Sequence, residues 1–533
     1  MNKSLLVQKI NNLPAKKRLE AILEDDDPGA LVAAMHAQDI LLTLREVGAE
    51  DALGLLELLS AEHVQEILDL EIWDNDDMNP QKAGYYFSLL FEANPDRAVE
   101  QLDGLDIELL GLMYKTVAVI YDQTLGEDPG DFSGLCSESP DLRFLVCFSD
   151  DPAKARLSRA LFEYLDSLYA RDMKKALSLL EHLRYELASG LEASSHTWRN
   201  NRLLDNMGVL PREERLEYFS PITLANLRKK VSPSVELTQV EKNHDKLPMQ
   251  RLASHINDRY AFLKRAIGDS TAQEQQLYFD ALAHASLNMH ASWSGDFGDR
   301  EEMVKSTEYV KTLCEYGLAQ ATIGQLDQSA GILRNFGIKA MIRLGRTALV
   351  NLRKLLVVSD ESFLFGEDFA YADTPLREVA RALKLSEPRF YEGLLDLTKF
   401  EVRFFSTLAE LNASLKAVHE LRFRAQFLGP RVLGLTPAML KNHKSLSHAS
   451  MYARYLLNNY LKNSDKLAEL NYTKIKDIIG PEFDAYSKEF TDKLAKKLAT
   501  EFDYEPNKAQ ERAAHFLSAI LIQLEQNPEL LVG

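Results

Sequence analysis

Between Trp73 and Pro80 the chain reads WDNDDMNP, which places the carboxylates of Asp74, Asp76 and Asp77 beside two amides and an aromatic ring. Hard cations such as Mg2+ and Ca2+ take oxygen ligands of this kind. The spacing is not that of an EF-hand. Counting from Asp74, the sixth position is Asn79 where a Gly belongs, and the twelfth is Tyr85 where a Glu belongs. One expectation is therefore a Mg2+ site on Asp74, Asp76 and Asp77, with Mg2+ the one cofactor the residues suggest. The other is a corner between two helices, with Asp and Asn side chains capping a helix that begins at Pro80.

A second polar group gathers at Trp198, Arg199, Arg202 and Asp205. Arg199 and Arg202 are three apart and share a helix face, so their guanidinium groups can meet one acidic group together. That group is either a ligand or a carboxylate of this chain's own acidic first third, and the second is expected.

Other chemistry-bearing patterns are weaker. Asp296-Phe297-Gly298 spells the kinase metal-binding triplet, but no glycine-rich loop with its lysine and no H-R-D loop precedes it, so a surface loop is expected. His284 and His290 are six apart and miss the i, i+4 spacing of a zinc pair. Phe363, Phe365, Phe369 and Tyr371 surround Glu367-Asp368 and are expected to anchor their loop. No H-E-x-x-H, G-x-S-x-G, Walker or G-x-G-x-x-G pattern occurs.

The elements that must position these groups are helical. Gly and Pro number 25 and 18 in 533 residues, too few for the turns of an all-β fold. Residues 37–72 divide into AQDILLTLREVG, AEDALGLLELLS and AEHVQEILDLEI. Position 1 is Ala37, Ala49 or Ala61; position 4 is Ile40, Ala52 or Val64; position 8 is Leu44, Leu56 or Leu68. These share one helix face. Asp39, Glu50, Asp51 and Glu62 crowd the unit starts, where the helix dipole favours negative charge. A looser copy begins at Pro95, with Ala98 and Leu102 in register. Helices this short are marginal alone and persist only by stacking, as in a solenoid. Of the remaining chain, LRFLVCF (142–148) is the best strand candidate, with a buried turn of helix as its alternative. The stretch SPSVELTQVEKNHDKLP (232–248) is expected to be a polar connector.

Charge is unevenly placed. Residues 1–150 carry 10 Lys/Arg and 30 Asp/Glu, net −20, whereas the whole chain carries −18. Such a field repels nucleic acid and anionic lipid and attracts cations or a basic partner. The three cysteines, Cys136, Cys147 and Cys314, include no C-x-x-C pair and suggest neither a disulfide framework nor a zinc site. MNKSLLVQKI is broken by Lys9 before a signal-peptide core develops, and no apolar run reaches membrane-spanning length. The expected location is cytoplasmic, without membrane insertion.

The alternation of short acidic helices, clearest in AEDALGLLELLSAEHVQEILDL, resembles the superhelical cytosolic N domain of MgtE-type magnesium transporters over roughly residues 30–120. The CBS modules and membrane channel of that family have no counterpart here, so transport is not implied. LDLEIWDNDDMNP (68–80) and WRNNRLLDNMGVLPREERLEYFSPI (198–222) resemble an uncharacterised bacterial family of helical proteins, a domain of unknown function, which implies no activity.

The expected architecture is all-α: an acidic solenoid-like stack over 1–125, then larger helical bundle regions over 142–357 and 374–533. The expected function is a non-enzymatic interaction, scaffold or regulatory role. Its surface, carrying Glu50, Asp51 and Glu62, would engage a protein partner, and oligomeric state stays open. The alternatives are a Mg-type hydrolase or lyase with carboxylates drawn from several helices, and a protein that responds to a divalent cation.

Overall fold

The spaced Ala and Leu positions of residues 37–72 lie inside, apart from half-buried Ala61. Helix α1 spans Ala15–Leu23, and α2, Ala37–Val47, buries Ile40 and Leu44 completely on one face. The His36 ring caps α2 by accepting from the Gln38 N–H at 3.2 Å. Gly48, at φ +102°, ends it in a conformation that side-chain-bearing residues rarely adopt. The middle unit is less regular: a 3-10 turn, Ala49–Ala52, precedes α3, Leu53–Glu57. Gly54 inside that unit weakens its helix by about 1 kcal/mol relative to Ala. Helix α4, Ala61–Glu71, is capped by Ser60, whose hydroxyl accepts from the His63 N–H.

The computed structural model describes residues 3–229 apart from 75, 131 and 133, and 248–529 apart from 294, 357–360, 442, 444–445, 471–474, 476 and 527–528. Asn75, and all of the connector at 232–248 except Pro248, lie outside the described residues. The chain is mostly helical, as expected, with three small antiparallel sheets among the described residues. It divides into two compact units. The first takes Met1–Ser220, Val231–Lys311 and Gln325–Lys339; the second takes Pro221–Lys230, Thr312–Gly324 and Ala340–Gly533.

In the first unit, α4 leads into a hairpin of β1, Trp73–Asp74, and β2, Asp77–Met78. Helix α5, Pro80–Ala93, follows with Asn79 as its cap, and α6 is Pro95–Asp103 with Asn94 as its cap. A Cβ built on Gly104, just past α6, would sit 2.5 Å from the Cβ of Ala61. Small residues therefore set how closely α4 and α6 approach. Helix α7, Ile107–Val117, gives way to strand β3, Ala118–Asp122, where Val119 and Ile120 favour the extended chain. Strands β4, Cys136–Glu138, and β5, Phe144–Phe148, complete a sheet in the order β3-β5-β4. LRFLVCF thus supplies the central strand, and Phe144, Val146 and Phe148 are fully buried.

Helices α8, Ala155–Arg171, and α9, Met173–Tyr185, pack on this sheet, and α10, Ala188–Met207, follows them. A Cβ on Gly84 of α5 would lie 2.6 Å from the Leu157 amide of α8, so glycine permits that contact. Helix α10 packs on α7 and on α4. Farther along run α11, Ala272–Trp293, in the first unit, and α12, Arg300–Ala321, and α13, Ser329–Leu355, whose residues divide between the two units.

The second unit adds α14, Leu376–Lys384, α15, Leu408–Leu428, α16, His448–Tyr460, α17, Pro481–Phe502, and α18, Pro506–Gln526. Its core holds Phe427, Tyr452 and Phe516, with ring centroids 5.2 to 6.2 Å apart. Gly317 and Gly345 face the Met341 and Leu313 carbonyls, leaving no room for a Cβ at either position. Among the described residues no helix is long and apolar enough to cross a membrane.

Candidate functional site

Helix α10 presents His196, Arg199, Arg202 and Asn206 at intervals of three, three and four, which places them on one stripe. That stripe lies against the acidic side of α4 and the β1–β2 hairpin. The Arg202 guanidinium forks onto Asp69, with Nε donating to Oδ2 at 2.6 Å and Nη2 to Oδ1 at 3.0 Å. Its remaining nitrogen donates to Asp106 at 2.7 Å. Asp69 is 1% exposed and also accepts from the Gln65 amide. Burial pushes the Asp69 carboxyl upward, opposed by Arg202. Burial works against the Arg202 charge too, but Asp69 and Asp106 outweigh it and raise its pKa. Asp69 is therefore a buried carboxylate held bidentately by a half-buried guanidinium.

Arg199 donates to the Asp69 carbonyl at 2.7 Å and lies over the Trp73 ring, 5.2 Å from its centroid. Burial pulls its guanidinium down to about 10, against the Asp69 and Asp76 carboxylates. His196 Nε2 lies 3.0 Å from Asp76 Oδ1 in the hairpin turn. Two groups far apart in the chain, the hairpin and the α10 cluster, thus form one contact.

Asp74 is exposed and engaged by Lys82 at 2.5 Å and by Asn79 at 2.6 Å, which together lower its pKa. Asp76 turns to His196, and Asp77 pairs with Asp74 across the hairpin backbone. Among the described residues no three His, Cys, Asp or Glu side chains gather as metal ligands do, so the three aspartates are not brought to one point. Asn79 caps α5, accepting from the Gln81 and Lys82 amides at 2.9 and 3.0 Å. Arg202 meets two carboxylates of the first third and Arg199 a backbone carbonyl there, while Trp198, 51% exposed, and Asp205 lie outside the contact. Glu50, Asp51 and Glu62 are all exposed and make no ion pair among the described residues.

Of the weaker patterns, Phe297 is buried and its carbonyl accepts from Gln38, which makes the Asp296–Gly298 loop a packing element. His290 is wholly buried against the Asp296 carbonyl. Phe365 and Phe369 are buried with their rings 5.8 Å apart, anchoring their loop.

Sequence reasoning missed Glu66 and His36. Both line a small cavity with Asp69, Arg202 and Asn206. Asn206 donates to Glu66 at 2.7 Å. Burial, reinforced by Glu62 and Asp69, nonetheless raises the Glu66 carboxyl to about 7. A signal was available, since Glu62, Glu66 and Asp69 stand at helical spacing opposite the α10 stripe. The cavity has room for about one water, far below the roughly 300 Å3 at which ligand pockets begin. Its geometry suits a hydrated carboxylate better than a bound substrate.

Fold and contact together define a mostly helical protein whose acidic N-terminal helices are clasped by arginines of a later helix. Residues 2–531 match DUF6178, a family of unknown function, and the chain belongs to that family. No curated protein and no solved structure matches it.

Proposed function

We propose that this protein works by binding a protein partner, and that its acidic N-terminal helices receive a basic surface of that partner. One observation supports this reading: the first third matches many of its carboxylates internally, Asp74, Asp96 and Glu100 on the surface among them, yet leaves others exposed and unmatched. Facing inward, Asp39 is matched by Arg251, Asp69 by Arg202, Glu71 by Arg45, and Asp122 by Arg143 and Arg184. Those at the outer helix starts, Glu50, Asp51 and Glu62, remain exposed without an ion pair among the described residues. A net −20 over 150 residues, with several of its buried carboxylates already matched, leaves a negative outer surface that steers cationic groups toward it.

Affinity capture tests the reading with three forms of the full chain. These are wild type, Glu50→Lys/Asp51→Lys/Glu62→Lys, and a control of equal charge change, Glu213→Lys/Glu214→Lys/Glu217→Lys. The expected result is a partner retained by wild type and control, weakened at least about tenfold by the first variant, and released by salt. A partner held equally by all three forms, or no partner at all, overturns the proposal.

A further inference from the structure

Cys136 and Cys147 are eleven residues apart in sequence, yet they stand directly opposite each other on adjacent antiparallel strands. The hydrogen-bond ladder fixes what kind of pair they are. Phe148 N–H donates to the Leu135 carbonyl and Ser139 N–H to the Phe144 carbonyl, each at 2.8 Å. Hydrogen-bonded pairs therefore fall at 135/148 and 139/144 and, by alternation, at 137/146. Cys136 and Cys147 form a non-hydrogen-bonded pair, the closer kind, with Cα atoms about 4.5 Å apart. That separation lies inside the roughly 4.4–6.8 Å that disulfides span. The two sulfurs lie 2.7 Å apart with no disulfide between them.

Access to the pair is one-sided. Phe144, Val146 and Phe148 turn to the core, so alternation puts Cys147, Cys136 and Val119, which lies opposite Cys147 on β3, on the other face of the sheet. Val119 is 55% exposed, Cys136 is half-buried and Cys147 only 4% exposed. Burial and the neighbouring Cys136 push the Cys147 thiol up to about 12. The outer sulfur is therefore the one placed to react first, with the inner one beside it to resolve.

We propose that Cys136 and Cys147 are a thiol–disulfide modification site whose oxidant is a peroxide. The Cys136 thiolate attacks one peroxide oxygen and the O–O bond breaks, giving a sulfenic acid and, after protonation, one water. The Cys147 sulfur then attacks Cys136 Sγ. The S–O bond breaks, and the departing hydroxide takes the proton that Cys147 releases and leaves as a second water. Two thiols and one hydrogen peroxide become one disulfide and two waters, and β4 becomes covalently tied to the central strand. Cys314, fully buried with its thiol pushed well up, lies outside the reaction.

Peptide mapping of the full reduced chain, treated with hydrogen peroxide and then alkylated after denaturation, tests this. Trypsin cuts after Arg143, between the two cysteines, so a disulfide joins two separable peptides. The expected product has lost two hydrogens, carries the Cys136–Cys147 link, and alkylates only at Cys314. In Cys147→Ser, a dimedone-type probe should instead trap sulfenic acid on Cys136. The proposal is overturned if wild type keeps all three thiols alkylatable at peroxide doses that oxidise a free low-molecular thiol. It is equally overturned if Cys136 runs on to sulfinic acid while Cys147 still alkylates.

Discussion

Replacing Glu66 by Gln should stabilise the protein at pH 8 and leave it nearly unchanged at pH 4.5. The Glu66 carboxyl has a pKa of about 7 in the folded chain, against 4.5 for an ordinary glutamate. Below pH 4.5 both folded and unfolded chains hold the proton, so this group contributes no pH dependence. Between 4.5 and 7 the folded chain keeps a proton that the unfolded chain has released, and stability falls as pH rises. Above 7 both have released it and the full penalty is present. The gap of about 2.5 between the two pKa values sets a ceiling of about 3.5 kcal/mol, at about 1.4 kcal/mol per pH unit. Glu66 is only partly buried, so solvent screening reduces this to about 1–2 kcal/mol. Gln keeps an oxygen to accept from Asn206 while losing the charge beside Glu62 and Asp69. Trp73, Trp198 and Trp293 all belong to the first unit, so tryptophan fluorescence during urea unfolding reports on it. The reasoning fails if Glu66→Gln shifts the midpoint equally at both pH values, or lowers it at pH 8. Either result would mean that the wild-type carboxylate is ionised without penalty.

Arg202→Met should destabilise the first unit by about 3–5 kcal/mol, because it strands the buried Asp69 carboxylate; urea midpoints measure it. Arg202→Lys should recover only part of this loss, since an ammonium cannot fork onto Asp69 while reaching Asp106, and full recovery would count against the bidentate account. Gly104→Ala should cost about 1–3 kcal/mol by driving a methyl group into Ala61, and adding Ala61→Gly should return most of it in the same assay. If the hairpin holds a cation, calorimetry with millimolar Mg2+ should give heat for wild type that Asp76→Asn and Asp77→Asn abolish; a silent wild type removes the hairpin as a Mg2+ site.

What could be read from the sequence divides along a physical line. Periodicity reports which residues share a face, and it placed Ile40, Leu44, Val64, Leu68, Ala98 and Leu102 on buried faces correctly. It fails where a local conformation breaks the period, as in the middle unit, where Gly48 and Gly54 leave a 3-10 turn before a short helix. Periodicity also cannot say what lies opposite a face. The arginine stripe of α10 was legible as a stripe, but Arg202 meets Asp69 across 133 residues, and only the fold supplies that meeting. The hairpin matches the other expectation for its stretch, a corner whose Asn79 caps the helix at Pro80. Its three aspartates look like ligands in one dimension, yet Lys82, one turn into the following helix, neutralises Asp74, and Asn79 is occupied capping that helix. Cys136 and Cys147 were opaque for a related reason. Cys-Ser-Glu has no apolar alternation to mark β4 as a strand, and without that strand no register can be drawn. The residues most open to functional reading here, Glu66, Arg202 and the cysteine pair, all acquire their properties from neighbours brought close by folding. Their side chains are ordinary in the sequence, and it is burial and register that make a carboxyl titrate near neutrality and two distant thiols touch.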